Sequence, residues 1–137
     1  MLSDIWTSET LDNTLLPRES WKPFPTAEDH DAWSVVPREL REAYLARATA
    51  SLNHEWPALP ATLFLDFART GNRRNYERVS FGRRTTLADL VIAECLEGNG
   101  RFTDDIVNGI WAICEESFWG IPACMYMQKP GPGLPDI

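Results

Sequence analysis

The sequence predicts an all-α protein built from antiparallel helical hairpins. Apolar residues recur at helical spacing in several stretches. Short segments rich in glycine or proline separate these stretches, and none of them shows the alternation typical of a β-strand. Helices joined by short loops pack against each other as antiparallel neighbours, so we expect helical hairpins.

Residues 1–36 are predicted to be irregular. Pro17, Pro23 and Pro25 interrupt this stretch, and aromatic side chains surround them. Such a segment cannot form long helices, but it has enough apolar surface to wrap along other elements. We therefore divide the chain into a Pro/Trp-rich wrapping segment at 1–36 and helical hairpins at 37–137.

The first two helices are predicted at about 37–53 and 60–70. In the first, Leu40, Tyr44 and Ala48 lie on one helix face. Pro57 ends this stretch, because the residue before a proline disfavours helical geometry. The second helix is apolar on nearly all sides, so we expect it to be largely buried.

The third and fourth helices are predicted at about 74–97 and 103–117. Gly82 is a point where the third helix can bend or divide, and Gly-Asn-Gly at 98–100 is a strong stop signal. Thr103 is placed to cap the fourth helix with its hydroxyl. Two aspartates follow it at the positive end of the helix dipole.

Composition and charge exclude several classes of protein. The 137 residues carry a formal net charge of −7, which disfavours non-specific binding to nucleic acid. No apolar run approaches the roughly 18 residues that a membrane span requires. The first residues also lack the basic start and apolar core of a signal peptide. The sequence therefore predicts neither a nucleic-acid partner nor a membrane partner.

The charge is distributed unevenly. Between Arg69 and Arg84 there are six arginines against one acid, Glu77, and the flanking segments are acidic. A basic segment in an acidic protein indicates a site for an anion. The alternative is a solvated arginine-rich helix whose side chains pair with acidic neighbours.

Neither a metal nor a cofactor is predicted. The three cysteines form no CxxC pair, and the sequence has no phosphate-binding, dinucleotide, zinc-protease or serine-hydrolase motif. Cys95 and Cys114 are in register with apolar residues and are expected to be small core residues, whereas Cys124 is not. His30 in an acidic loop and His54 at a helix end are expected to have ordinary surface and helix-end roles.

Two features near the end of the fourth helix suggest a ligand site. Glu115 and Glu116 are adjacent, so their side chains point about 100° apart and cannot act as an acid–base pair on one glycosidic bond. One of them can still face a cleft, or pair with the arginine segment. Trp119 follows in a loop, where it is either a platform for the apolar face of a sugar or a core residue.

Several blocks of the sequence resemble bacterial heparinase II/III-like proteins. They include Trp-Pro-Ala-Leu-Pro at 56–60 and Phe-Trp-Gly-Ile-Pro-Ala at 118–123. The resemblance extends from about residue 21 to the end, in order, and its blocks lie at 56–65, 68–73, 93–98, 100–111 and 114–123. The blocks are specific together, although each alone is weak.

The resemblance implies the first hairpins of an (α/α) toroid, which a β-sandwich domain follows in complete members. Such proteins are typically exported lyases that cleave uronic-acid-containing polysaccharides such as heparan sulfate or alginate by β-elimination. A base removes the C5 proton, and an acid protonates the departing C4 oxygen. The family's catalytic residues lie mostly later than this chain. It is therefore expected to be a fragment that is inactive alone and, by resemblance, periplasmic or secreted.

The resemblance and the local chemistry together select candidate contacts to an acidic polysaccharide. Similar proteins usually have a histidine where this chain has Cys124, and a thiol is a poor substitute because it forms weak hydrogen bonds. Arginines suit sulfates and carboxylates because their planar donors are paired. The candidate substrate-binding residues are Glu116, Trp119, Cys124, Glu115, Arg69, Asn72 and Arg73.

Two other functions stay open. The chain can be a non-catalytic helical module that binds carbohydrate or another partner. It can also belong to a toroid glycoside hydrolase acting on unsaturated uronides, which requires two well-separated carboxylates. If the toroid is incomplete, its open edge is expected to be apolar.

Overall fold

The computed structural model describes residues 5–128, 131 and 133–135. Its architecture is all-α, as predicted, and no strand occurs in this part of the chain. The α-helices are α1 (Ser8–Thr14), α2 (His30–Ser34), α3 (Arg38–Ala50), α4 (Ala61–Phe64), α5 (Asp66–Thr70), α6 (Arg74–Glu97) and α7 (Thr103–Cys114), and a 3₁₀-helix follows at Pro122–Met127.

The centre of the fold is α6, which packs between α3 and α7. Arg41 near the start of α3 donates to the carbonyl of Leu96 near the end of α6. Arg47, which is later in α3, pairs with Asp89, which is about two turns earlier in α6. These contacts run in opposite directions along the two helices. α3 and α6 are therefore antiparallel, although two short helices separate them in sequence.

The second hairpin is formed by α6 and α7. Phe102, just before α7, lies at the end of α6, where its amide donates to the Glu94 carboxylate. Gly98 ends α6 with φ of 67°, a left-handed conformation that favours glycine. A Cβ there would also lie 2.9 Å from the His30 ring. Both requirements explain why glycine stands at this end of the helix.

The core lies where the three long helices meet. Ala48 of α3, Leu90 and Ala93 of α6, and Phe102 are fully buried and form one cluster. Trp56 and Ile106 pack against it from the side. Burial of this apolar surface from water is the main favourable contribution to the stability of the arrangement.

Residues 5–24 are exposed, and they include α1. The first part of the segment predicted to be irregular thus contains a short helix, which Thr7 caps by accepting from the amide of Thr10. The later part contacts the core helices through α2, which packs against α6. Trp33 of α2 anchors the preceding loop by donating to the carbonyl of Thr26.

Three local features differ from the sequence-based expectations. The helix expected over 60–70 is divided at Leu65 into α4 and α5, and of its apolar side chains only Phe64 is buried. A helix this short presents one face to the core, where Phe64 meets Tyr76 and Phe118.

Thr103 does not cap α7, since the cap position is occupied by Phe102 and no side-chain cap forms. Gly82 does not divide α6.

None of the described helices combines the length and apolar character required to cross a membrane.

Candidate functional site

A cavity of about 370 Å³ lies between two segments that are far apart in sequence. One wall is the extended stretch after α3, and the other is the end of α7. Arg83 of α6 completes the lining. We refer to this space as the Glu116 cavity, and its lining residues are Trp56, Pro57, Ala58, Leu59, Pro60, Arg83, Ala112, Glu115, Glu116 and Ser117.

The first wall is held in place by α7. The buried Asp105 carboxylate accepts hydrogen bonds from the backbone amides of Asn53 at 3.1 Å and His54 at 3.2 Å. Trp56 then lies directly over Gly109, where a Cβ would be 2.4 Å from the indole ring. The His54 ring meets Trp56 edge to face, with centroids 4.9 Å apart. These contacts fix the position of the cavity wall relative to α7.

The second wall contains a buried cluster of charges. The Glu116 side chain is 3% exposed and lies against Arg83, which is 4% exposed, with Nη1 and Oε1 3.4 Å apart. Arg84 binds the same carboxylate in bidentate geometry, at 2.6 Å and 3.2 Å. Arg83 also donates to the carbonyl of Ala112, and Arg84 donates to Ser80. Glu116 therefore connects the end of α7 to the middle of α6.

Tyr76 lies on the other side of Glu116. The two residues line a smaller cavity of about 90 Å³, together with Phe64 and Phe118. Burial raises the pKa of the Tyr76 phenol, and the nearby Glu116 carboxylate raises it further. A phenol with a raised pKa keeps its proton at neutral pH, so Tyr76 can donate a hydrogen bond but is not a base there.

Two buried donors beside the Glu116 cavity have no partner in the described part of the chain. They are the Trp56 indole Nε1 and the Arg83 guanidinium Nε. Leaving a buried donor unpaired costs about 1–3 kcal/mol. An acceptor oxygen from water or a ligand would recover this cost. Both atoms are closed off from the cavity, so a ligand oxygen would reach them only if the surrounding side chains moved.

The structure places only two of the seven candidate residues in this cavity. Glu115 lines it as an exposed residue, and Glu116 lines it while bound to the two arginines. Glu116 therefore pairs with the arginine segment, which is the alternative that the sequence analysis left open. Its carboxylate is already occupied by protein donors, which leaves Glu115 as the accessible acid.

The other five candidates lie outside the lining. Trp119 is exposed, and its Nε1 donates to the carbonyl of Ile113 at 3.0 Å. Cys124 is exposed on the 3₁₀-helix, which contacts α5, the helix that carries Arg69. Arg73 pairs with Glu77, and the Asn72 side chain accepts from the amide of Asn75. The structure thus brings the Arg69 helix and the Cys124 segment together, but separately from Glu116.

Sequence reasoning missed Trp56, Arg83 and Arg84 as site residues. The arginine segment pointed to the correct region, but it could not indicate which arginines face inward. The partner of Arg84 lies 32 residues away, and helical periodicity contains no information about contacts at that distance. Trp56 stood out only as the first residue of the block at 56–65, not as a contact residue.

The cysteines are expected to differ in reactivity. Cys95 is half-buried, and burial raises the pKa of its thiol. Cys114 was predicted to be a core residue but is exposed, because the outer face of α7 is not covered. Since the thiolate is the reactive form, Cys95 should react with a disulfide reagent at pH 8 more slowly than Cys114 and Cys124. Stopped-flow kinetics should show a slow phase that Cys95→Ser removes. Equal rates for all thiols would contradict this.

In the described residues, histidines, cysteines and acids form no group that could hold a metal ion. Comparison of the chain with models of known protein families, and with curated proteins, finds no match.

Proposed function

We propose that the chain is the N-terminal part of the (α/α) toroid of a heparinase II/III-like polysaccharide lyase. The observation that carries the proposal is the composition of the Glu116 cavity. Two blocks that resemble this family, at 56–65 and 114–123, are about 50 residues apart and supply most of its opposite walls. The resemblance therefore covers most of both walls of the cavity.

The exposed face of α7 supports the same proposal. Val107, Ile110 and Trp111 follow helical spacing and are exposed, although the opposite face of α7 packs on α6. A further helical hairpin of a toroid would cover this face. A toroid that lacks that hairpin should expose an apolar edge, as expected from the sequence.

In this function the chain binds and orients an acidic polysaccharide, and later segments supply most of the proton transfer. A sugar unit in the Glu116 cavity would lie between the 56–60 stretch and Glu115, and it would accept hydrogen bonds from Trp56 and Arg83 only after their buried donors became accessible. Trp119 and Cys124 would contact the polymer outside the cavity. The enzyme would act in the periplasm or outside the cell.

A non-catalytic carbohydrate-binding module is the second candidate, and one observation favours it. The Glu116 carboxylate is bound to two arginines and is therefore not free to transfer a proton. Glu115 is then the single accessible acid among the lining residues, and one acid is sufficient for binding a sugar. A hydrolase has less support, since it needs two carboxylates that are about 5–9.5 Å apart and both free to reach the sugar.

The proposal is tested with the natural open reading frame that contains this chain. The purified product is incubated with heparan sulfate and, separately, with alginate, and the ultraviolet absorbance of a 4,5-unsaturated uronate is followed. We expect this chromophore from the full product and none from the 137-residue chain. Binding of oligosaccharide without formation of the chromophore would contradict the lyase and favour the carbohydrate-binding module. Consumption of unsaturated uronides would instead indicate the hydrolase.

A further inference from the structure

The first half of α6 has a second surface that is separate from the Glu116 cavity. A shallow groove of about 530 Å³ is lined by Arg74, Asn75, Glu77, Arg78 and Phe81. None of these residues lines the Glu116 cavity. Arg74, Arg78 and Phe81 are spaced i, i+4, i+7, so they lie on one face of the helix. We call these three residues the α6 strip.

The arginines of the strip have no carboxylate partner in the part of the chain that the structure describes. Arg38, Arg47 and Arg101, by contrast, each pair with an acid. The acid in the groove, Glu77, is already paired with Arg73 at 2.7 Å. Two uncompensated positive charges therefore lie side by side in a chain whose net charge is −7. Their position is consistent with a binding surface for an anion.

The third member of the strip limits the kind of anion. Phe81 is 50% exposed, beyond the two arginines on the same face. Guanidinium groups bind sulfate and carboxylate in bidentate geometry, and an aromatic face packs on the apolar face of a sugar ring. At 1.5 Å per residue, Arg74 and Phe81 are about 10 Å apart along the helix axis, so the strip suits an extended ligand.

We infer that the α6 strip is an auxiliary binding surface for a sulfated or carboxylated polysaccharide, outside the Glu116 cavity. The choice of polysaccharide rests on the proposed function, whereas the strip itself rests on its contacts. The acidic segments on both sides of the arginine segment repel heparin and nucleic acid alike, so the test below includes duplex DNA as a competitor. One polymer could then contact the chain at two places.

The test measures binding of fluorescent heparin to the 137-residue chain at low salt. The double variant Arg74→Ser/Arg78→Ser should bind at least tenfold more weakly. Arg18→Ser/Arg38→Ser makes the same change in net charge at exposed arginines elsewhere and should bind within twofold of the parent chain. Phe81→Ala should weaken binding without changing its dependence on salt, because that contact releases no counterion. All variants should unfold at the temperature of the parent.

Four results would overturn the inference, and three of them concern the charged ligands. They are equal loss in both double variants, no binding of heparin by the parent chain, and competition by duplex DNA as strong as that by unlabelled heparin. Uncharged dextran should not compete, and full competition by dextran would also contradict the assigned role of the arginines. The assay needs no catalysis. If the strip binds heparin but the full protein forms no unsaturated product, the lyase proposal fails and the inferred binding surface is still supported.

Discussion

Replacing Glu116 with alanine should lower the free energy of unfolding by about 3–5 kcal/mol. The substitution removes the carboxylate that balances Arg83, whose side chain is 4% exposed and cannot reach water without a change in structure. Removing one partner of a buried ion pair leaves an uncompensated buried charge, and this is where the cost arises. Arg84 contributes less to the loss, since its side chain is one-third exposed and can be solvated. Urea unfolding followed by circular dichroism measures the change.

Glu115→Ala is the matched control for Glu116→Ala. It removes the same side chain from the adjacent position, but Glu115 is exposed and has no ion pair in the described structure. Its effect should be within about 0.5 kcal/mol of zero. If the two variants were equally stable, Glu116 would not be the link between α6 and α7. Glu116→Gln should be intermediate, because an amide keeps one acceptor oxygen but no charge.

The long helices could be predicted from the sequence because their signals are local. Apolar spacing and the Gly-Asn-Gly stop place the third helix at about 74–97, and α6 spans Arg74–Glu97. Antiparallel packing follows from the short loop between α6 and α7. The division at Leu65 was not predictable in this way. It has no proline or glycine, and packing of Phe64 against Tyr76 and Phe118 decides where that segment lies.

The candidate site was predictable only in part, for a similar reason. Glu115 and Glu116 stood out as adjacent acids at a helix end, and both do line a cavity. The opposite wall depends on Asp105, which binds the amides of Asn53 and His54 and was expected only to complement a helix dipole. Contacts between residues about 50 positions apart leave no pattern in a single sequence.

Electrostatics divides the arginine segment into two halves with different roles. Arg83 and Arg84 face inward and neutralise Glu116, whereas Arg74 and Arg78 face the groove and have no acid partner in the described part of the chain. Four residues lie between Arg78 and Arg83 on α6, so the two pairs of arginines occupy different parts of the helix. One pair contributes to packing, and the other belongs to the proposed binding surface. The pairing interpretation therefore describes Arg83 and Arg84, whereas an anion site at Arg74 and Arg78 stays a proposal.

Phe102→Ala should lower the free energy of unfolding by about 3–5 kcal/mol. Phe102 is fully buried among Ala48, Leu90 and Ala93, at the point where the three long helices meet. Two members of its cluster, Ala48 and Ala93, have side chains too short to fill the space that truncation leaves, so a cavity remains. Its amide hydrogen bond to Glu94 uses the backbone and survives the substitution. Thermal and urea unfolding should both show the loss.

Val107→Ala is the control for Phe102→Ala, since it removes apolar atoms from an exposed position on α7. Its effect should be below about 0.5 kcal/mol in the isolated chain. The same substitution should become destabilising in the full open reading frame if a further hairpin covers this face of α7. An equal effect in the two proteins would indicate that α7 stays uncovered, which would count against the toroid. Comparing Val107→Ala in both contexts therefore tests the proposed architecture, while Phe102→Ala measures the core that supports it.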